Sequence, residues 1–279
     1  MTPIIMLTGR AGSGKDTVAE MLTRFGGGVS IAQADPLKRI ARDVFGFTEE
    51  QLWGPSGFRN AEDGRSYDFK YWEHLDRYFD FANAPESQVL TRWFWETGLA
   101  TSVESEAVAI RRTLAWYQGI RGKPMSPRTI LQTLGTEVGR ALKPLVWVDY
   151  AQDAAMQILR TGKGYDRTRG LMETDTPPQF VVITDGRFRN EVLATKASGG
   201  ITIKVVDPQA QVLTGAAASH SSETEQDGIP LTWYDIILHN NKLRGLEHLE
   251  QTVRYRLLPM IMPWPKNIYG PVDLSFDQF

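Results

Sequence analysis

Cysteine is absent from all 279 residues, which excludes disulfide frameworks, thiolate nucleophiles and zinc sites built on sulfur. Only four His residues stand as nitrogen ligands. No apolar run approaches the roughly 20 residues that a helical membrane span requires. The opening MTPIIMLTGR has neither a basic n-region nor a long apolar h-region. The expectation is a cytoplasmic protein with no membrane partner. An excess of charge is missing too, because 31 Lys and Arg against 33 Asp and Glu leave a net charge of -2. That balance offers no general attraction to a nucleic acid polymer, so phosphate binding has to be local, built from a few placed groups. Repeats, heptad arrays and long charge runs are also lacking. What is present, 42% hydrophobic and 23% charged residues, is the make-up of a soluble globular chain long enough to bury a core without staples.

Short, β-rich apolar runs recur at Ile4 to Thr8, Val29 to Gln33, Phe180 to Thr184, Ile201 to Val206 and Asp235 to Leu238, most of them followed by a helix-like segment. This rhythm predicts an α/β fold with a central, mainly parallel five-stranded sheet flanked by helices. Runs such as FVVIT, with no polar alternation, suit strands covered on both faces. The long stretch between the second and third strands reads as helical over Asp35 to Phe45, Tyr67 to Phe81, Gln88 to Glu96, Val103 to Trp116, Pro127 to Ala141 and Val148 to Leu159. Gly54 to Ser66 and Thr161 to Pro178 read as irregular loops, and the tail Met260 to Phe279 as a surface wrap. Asp207 to Gly228 is polar and small, and reads either as a lid over an active site or as a plain surface excursion. We take residues 1–279 as a single domain with 207–228 as the candidate lid.

The decisive feature is Gly9-Arg10-Ala11-Gly12-Ser13-Gly14-Lys15-Asp16-Thr17, directly after the first strand and opening a helix. Glycines let consecutive N–H groups turn inward, the helix N-terminus adds partial positive charge, and Lys15 reaches the β and γ phosphates of a triphosphate. Gly9, Arg10, Gly12, Ser13, Gly14, Lys15, Asp16 and Thr17 are therefore the candidate ATP-binding residues. The strict pattern asks for Ser or Thr after the Lys, whereas this chain has Asp16 and then Thr17. Mg2+ takes oxygen ligands, so either can hold it, directly or through water.

Four further segments carry polar residues that a plain core does not need. Ala34 to Arg39 (ADPLKR) ends the second strand and opens a helix, where Asp35 can cap with Pro36 at the first position and Lys38 is explained equally by a solvated face. In RTILQTLGTEVGR, Arg128, Gln132 and Thr136 fall at i, i+4 and i+8 on one stripe, solvated or positioned to clamp a phosphate and a base edge. The strand Val181 to Thr184 ends in Asp185, placed to organise Mg2+ or an attacking group, with Arg187 and Glu191 at i, i+4 on the next helix. As a surface ion pair those two contribute only ~0.3 to 0.5 kcal/mol. His220-Ser221-Ser222-Glu223 lies in the candidate lid.

Taken in order, the GSGKDT loop, ADPLKR, LWGPS at Leu52 to Ser56, the RxxLQxLGTExxR helix, DGRFRNE, HxSE and DIILHNN resemble the deoxynucleoside monophosphate kinases encoded largely by bacteriophages. GKDT is the usual form of the loop in that family. The resemblance implies a P-loop kinase fold, phosphoryl transfer from ATP to a deoxynucleoside monophosphate, Mg2+ as cofactor and, for a phage protein, the host cytoplasm. Residues 60–123, with Trp72, Trp93, Trp95 and Trp116, stand out against the family as a large helical insertion. Their aromatics at helical spacing read as core or oligomer interface, and a homodimer is the base-rate expectation. The candidate lid has no Lys or Arg, so other cations have to meet the charge of the transferring group.

Phosphoryl transfer demands positioning and positive charge more than covalent chemistry. Lys15, Arg128, Asp185 and Arg187 are therefore the candidate catalytic residues, the two arginines holding the acceptor phosphate or the transferring group by their planar forks. Asp35, Lys38, Arg128, Gln132, Thr136, Trp147, Arg187 and Glu191 form the candidate acceptor set. Within it, Gln132 and Trp147 serve the base by hydrogen bond and stacking; a buried Trp packed against the Pro144 to Val148 segment is the other reading of Trp147. Asp16, Thr17 and Asp185 are the candidate metal ligands. Two alternatives differ in class: another P-loop small-molecule kinase, similar to dephospho-coenzyme A kinase, or a nucleotide-dependent switch with weak ATPase activity.

Overall fold

All five apolar runs become strands of one sheet in the computed structural model, which describes residues 4–10, 12–63, 85–120, 126–209, 228–262 and 272–274. The chain divides into two compact units, one of Met1–Gln33 with Ala151–Phe279 and one of Ala34–Tyr150.

The first unit is built on strands β1 (Ile4–Thr8), β2 (Val29–Ile31), β5 (Val181–Gly186), β6 (Ile201–Val206), β7 (Ile236–His239) and β8 (Val272–Leu274), in the spatial order β2-β5-β1-β6-β7-β8. Every pairing in this sheet is parallel. Among the described residues the sheet thus has six strands rather than the five expected. The sixth comes from the tail, where three residues of alternating character, Val272-Asp273-Leu274, are too short to signal a strand without the β7 edge beside them. The central strand β1 is buried along its whole length, as an unalternated run predicts. Ile5 and Leu7 pack with Val18 and Leu22 of helix α1 (Lys15–Gly26) and with Val182, Ile203, Ile236 and Leu238.

Two further differences follow from local hydrogen bonding that composition does not show. Within the expected loop Thr161 to Pro178, β3 (Gly164–Asp166) and β4 (Gly170–Met172) form an antiparallel hairpin. Its turn is closed by Asp166 Oδ1, which accepts from the Thr168 hydroxyl at 2.6 Å and from the N–H groups of Thr168 and Arg169 at 2.8 and 2.9 Å. Those bonds, the Thr168 hydroxyl first, hold the Asp166 carboxyl below its ordinary range. The other expected loop, Gly54 to Ser66, contains a helical turn at Ser56–Asn60.

The second unit is helical: α2 (Asp35–Phe45), α3 (Glu49–Trp53), α4 (Ser56–Asn60), α5 (Pro85–Glu96), α6 (Val103–Ile120) and α7 (Pro127–Thr133), which runs on as a π-helical segment Leu134–Arg140. A final helix, Val146–Thr161, begins within it. Its core gathers Leu37, Ile40, Val44, Phe45, Phe94, Ile130, Leu134 and Val138 with Trp93, Trp116 and Trp147. Trp93 and Trp116 are thus core residues, whereas Trp95 is exposed and donates its Nε1–H to Glu106 at 2.9 Å. The expected helix Tyr67 to Phe81, with Trp72, lies outside the described residues.

Candidate active site

Strand β1 ends at Thr8, and the glycine loop Gly9 to Thr17 starts one residue later at the carboxyl edge of a parallel sheet, where α/β folds bind ligands. Two glycines shape it. Gly12 and Gly14 have φ of 78° and 90°, the left-handed region that glycine enters without strain. Ser13 N–H donates to Arg10 O at 3.1 Å and Val18 N–H to Gly14 O at 3.0 Å, so the turn closes on itself and then runs into α1. Lys15, the first residue of α1, is only 8% exposed, and its Nζ reaches back to Arg10 O at 3.4 Å. The ammonium is thereby folded over the loop. Asp16 is exposed and Thr17 half-buried in the first turn of α1, a position where negative charge suits the helix dipole.

Strand β5 lies beside β1, with Gly186 level with Thr8, so Asp185 sits on the strand next to the start of the loop. Its Oδ1 accepts the Gln33 N–H at 2.8 Å, which pins the carboxylate against the end of β2. Beyond it, Glu191 Oε2 accepts the N–H groups of Arg187 and Phe188 at 2.5 and 3.0 Å, and Glu191 is 1% exposed. This corrects the surface ion-pair reading. A buried carboxylate here anchors the backbone from which Arg187 extends, so Glu191 acts on Arg187 through the main chain. Arg189, opening the helix Arg189–Ala197, donates to Gly228 O at 2.9 Å. The segment between Gln209 and Gly228, with His220 to Glu223, lies outside the described residues.

In the helical unit, α2 begins with Ala34 at the cap, so Asp35 does not take the capping position expected of it. Asp35 is instead fully buried and accepts the Trp53 Nε1–H at 3.3 Å. Lys38 is buried too, which overturns the solvated-face reading, and its ammonium lies 5.7 Å from the Trp53 ring centre, with the Arg42 guanidinium 6.0 Å from the same ring. Burying an ammonium is unfavourable unless anionic or polar partners surround it, so this end of α2 is organised around charge.

Arg128, Gln132 and Thr136 are all exposed, and Arg128 Nε donates to Asn60 Oδ1 at 2.6 Å. The expected stripe is therefore open along its length, with Ile130, Leu134 and Val138 turned to the core. Trp147 is different. It is buried, donates Nε1–H to Gly135 O at 3.0 Å and stacks on Trp93 at 6.1 Å between centroids. A Cβ added at Gly139 would lie 2.2 Å from its ring. Gly139 is thus spent on receiving this indole, whereas a Cβ at Gly135 would meet Leu37 at 2.9 Å, and Trp147 is a core residue rather than a stacking platform for a base.

Two residues that sequence reasoning left without a role, together with Asp207 at the head of the candidate lid, complete the loop's surroundings. Asn240 Nδ2 donates to Ser13 O at 2.9 Å, and Lys242 Nζ donates to Gly12 O at 2.6 Å while pairing with Asp207 Oδ2 at 2.9 Å. Their signal was position. Asp207 follows β6, and Asn240 follows β7, at the same carboxyl edge as the loop.

Among the described residues, no cluster of three or more His, Asp or Glu side chains is arranged to hold a metal, and no helix is long and apolar enough to cross a membrane. Residues 3–253 match the family model described as deoxynucleotide monophosphate kinase. A protein of Acanthamoeba polyphaga mimivirus, provisionally named a deoxynucleotide monophosphate kinase, is 26% identical over 239 residues, covering 86% of this chain and 89% of the relative.

Proposed function

The chain belongs to the deoxynucleotide monophosphate kinase family, and from that premise we propose that it transfers the γ-phosphoryl group of ATP to a deoxynucleoside 5′-monophosphate. The bond between the γ phosphorus and the β,γ-bridging oxygen breaks as an acceptor phosphate oxygen bonds to that phosphorus. The products are ADP and a deoxynucleoside diphosphate. The observation that carries the reading is the loop itself: left-handed Gly12 and Gly14, a buried Lys15 folded over them, and Asp185 on the adjacent strand.

Lys15 and the loop N–H groups receive the donor phosphates. Arg187, its backbone anchored by Glu191, offers a guanidinium fork to the transferring group. No strong base is required, because an acceptor phosphate oxygen is already ionised near pH 7. Asp35, Lys38, Arg128, Gln132 and Thr136 are the acceptor candidates, with Lys38 and Arg128 supplying charge for its phosphate. Asp16, Thr17 and Asp185 are the residues whose oxygens would hold Mg2+, a cation that takes few ligands from the protein itself. When bound, it neutralises charge on the donor phosphates.

The test is ADP release from ATP and Mg2+ against a panel of deoxynucleoside and ribonucleoside monophosphates, with Lys15→Ala and an acceptor-free blank. Turnover on deoxynucleotides that vanishes in the variant is expected. Turnover indifferent to every monophosphate would defeat the proposal in favour of a nucleotide switch or a different acceptor.

A further inference from the structure

A phosphate-receiving loop has a problem at its back. A trans peptide points its C=O and N–H in opposite directions, so an N–H turned toward a phosphate leaves a carbonyl turned away and in need of a donor. Here side chains past the end of β7 supply two such donors. With the Ser13 carbonyl held by Asn240 Nδ2, the Gly14 N–H is fixed on the opposite side of that peptide. With the Gly12 carbonyl held by Lys242 Nζ, the Ser13 N–H is fixed too, in the direction that lets it donate to Arg10 O at 3.1 Å.

Neither donor is a loose surface group. Asn240 is buried, its own N–H donates to Val206 O at 2.7 Å at the end of β6, and a Cβ at Gly14 would lie 2.2 Å from its Nδ2. Gly14 is therefore required twice, by its left-handed backbone and by the close approach of this amide. Lys242 is half-exposed but anchored by Asp207, whose side chain is 2% exposed. The brace thus joins the ends of β6 and β7 to the loop at the end of β1.

We propose that Asn240 and Lys242 are positioning residues of the donor site, Asn240 holding the Ser13–Gly14 peptide in the phosphate-receiving orientation and Lys242 holding the Gly12–Ser13 peptide in the turn that closes on Arg10, before the nucleotide arrives. The proposal rests on reading Gly9 to Thr17 as the ATP loop. Ordering the loop in advance removes a cost that binding otherwise bears, so the effect is read in donor affinity and not in acceptor KM.

The experiment is calorimetric titration of ADP with Mg2+ into the full-length parent, Asn240→Asp, Lys242→Met and Lys242→Arg, with acceptor KM and nucleotide-free Tm measured alongside. Asn240→Asp is nearly isosteric and turns an oxygen toward the Ser13 carbonyl; Lys242→Met keeps a long stem without the ammonium; Lys242→Arg restores donors. Dissociation constants for ADP at least tenfold above the parent are expected for the first two, near recovery for the third, and acceptor KM within twofold throughout. Because Lys242→Met strands a buried Asp207, the double variant Asp207→Asn with Lys242→Met separates that instability from loop positioning, and it too is expected to bind ADP weakly. Parent-like ADP affinity in Asn240→Asp and in the double variant overturns the brace and leaves the ATP-loop reading standing. Equal losses for ADP and acceptor overturn it as general damage. A parent that does not bind ADP overturns both.

Discussion

Trp53 donates its indole N–H to the Asp35 carboxylate at 3.3 Å, tying the end of a short helix to the first turn of α2 across 18 residues of sequence. Asp35 is fully buried, so each donor it keeps offsets part of its desolvation. Trp53→Phe retains an aromatic ring beside Lys38 and removes this donor. The expected result is a loss of about 1 kcal/mol in denaturant unfolding together with a raised acceptor KM at unchanged donor KM. An unchanged acceptor KM would separate this end of α2 from the acceptor.

Arg128 is exposed and bonded to Asn60, so its removal leaves no buried group stranded. Arg128→Ala is expected to leave stability within about 0.5 kcal/mol of the parent. With Arg128 proposed to hold the acceptor phosphate, loss of that charge-assisted bond predicts an acceptor KM raised about tenfold or more. Steady-state kinetics with acceptor and donor varied separately decides it.

Glu191 holds two backbone N–H groups from a buried position. Glu191→Ala leaves both without that acceptor, and about 1 to 3 kcal/mol of destabilisation follows. Because Arg187 is one of the two residues released, kcat is expected to fall as well. A variant that loses stability but keeps full kcat would show that Arg187 needs no such anchor.

Gly139→Ala places a Cβ 2.2 Å from the Trp147 ring. Overpacking of this kind destabilises by about 1 to 3 kcal/mol. Trp147→Phe is expected to weaken the fold while leaving acceptor KM unchanged for every base tested. A selective change for one base would return Trp147 to the acceptor site.

Burial raises the Asp207 carboxyl, but the bonds from Lys242 and the Gln209 N–H outweigh it, and the net effect lies below the ordinary value of 3.8. A depressed folded value means that the stabilisation is complete above the unfolded value and is lost as pH falls through the folded one. Parent Tm should therefore drop below about pH 4, and Asp207→Asn should show a shallower acid limb. Melting curves from pH 3 to 7 would sink the idea if the two limbs coincide.

The β1 strand, the glycine loop and helix α1 are legible in the linear order because each depends on neighbours only a few residues away. An unalternated apolar run, glycines at left-handed positions and a lysine opening a helix follow one another in IIMLTGRAGSGKDT. Asp185 was legible for a similar reason, as the acidic residue ending a buried strand. The β8 strand and the β3–β4 hairpin were not. Three residues carry too little pattern, and the first needs a partner strand while the second needs an Asp turn to declare itself.

By itself the sequence determined a parallel α/β scaffold, a glycine loop that opens a helix, and the family, because periodicity and ordered local motifs are properties of contiguous residues. The tertiary structure decided which polar residues are spent on structure. It alone shows Trp147 filling the notch at Gly139, Glu191 turned inward onto backbone, Lys38 buried beside Trp53, and Asn240 and Lys242 behind a loop more than 200 residues earlier. Those roles depend on burial and direction, which arise only when distant segments pack and exclude water. A residue's type says what bond it can make; the fold says which partner comes within reach.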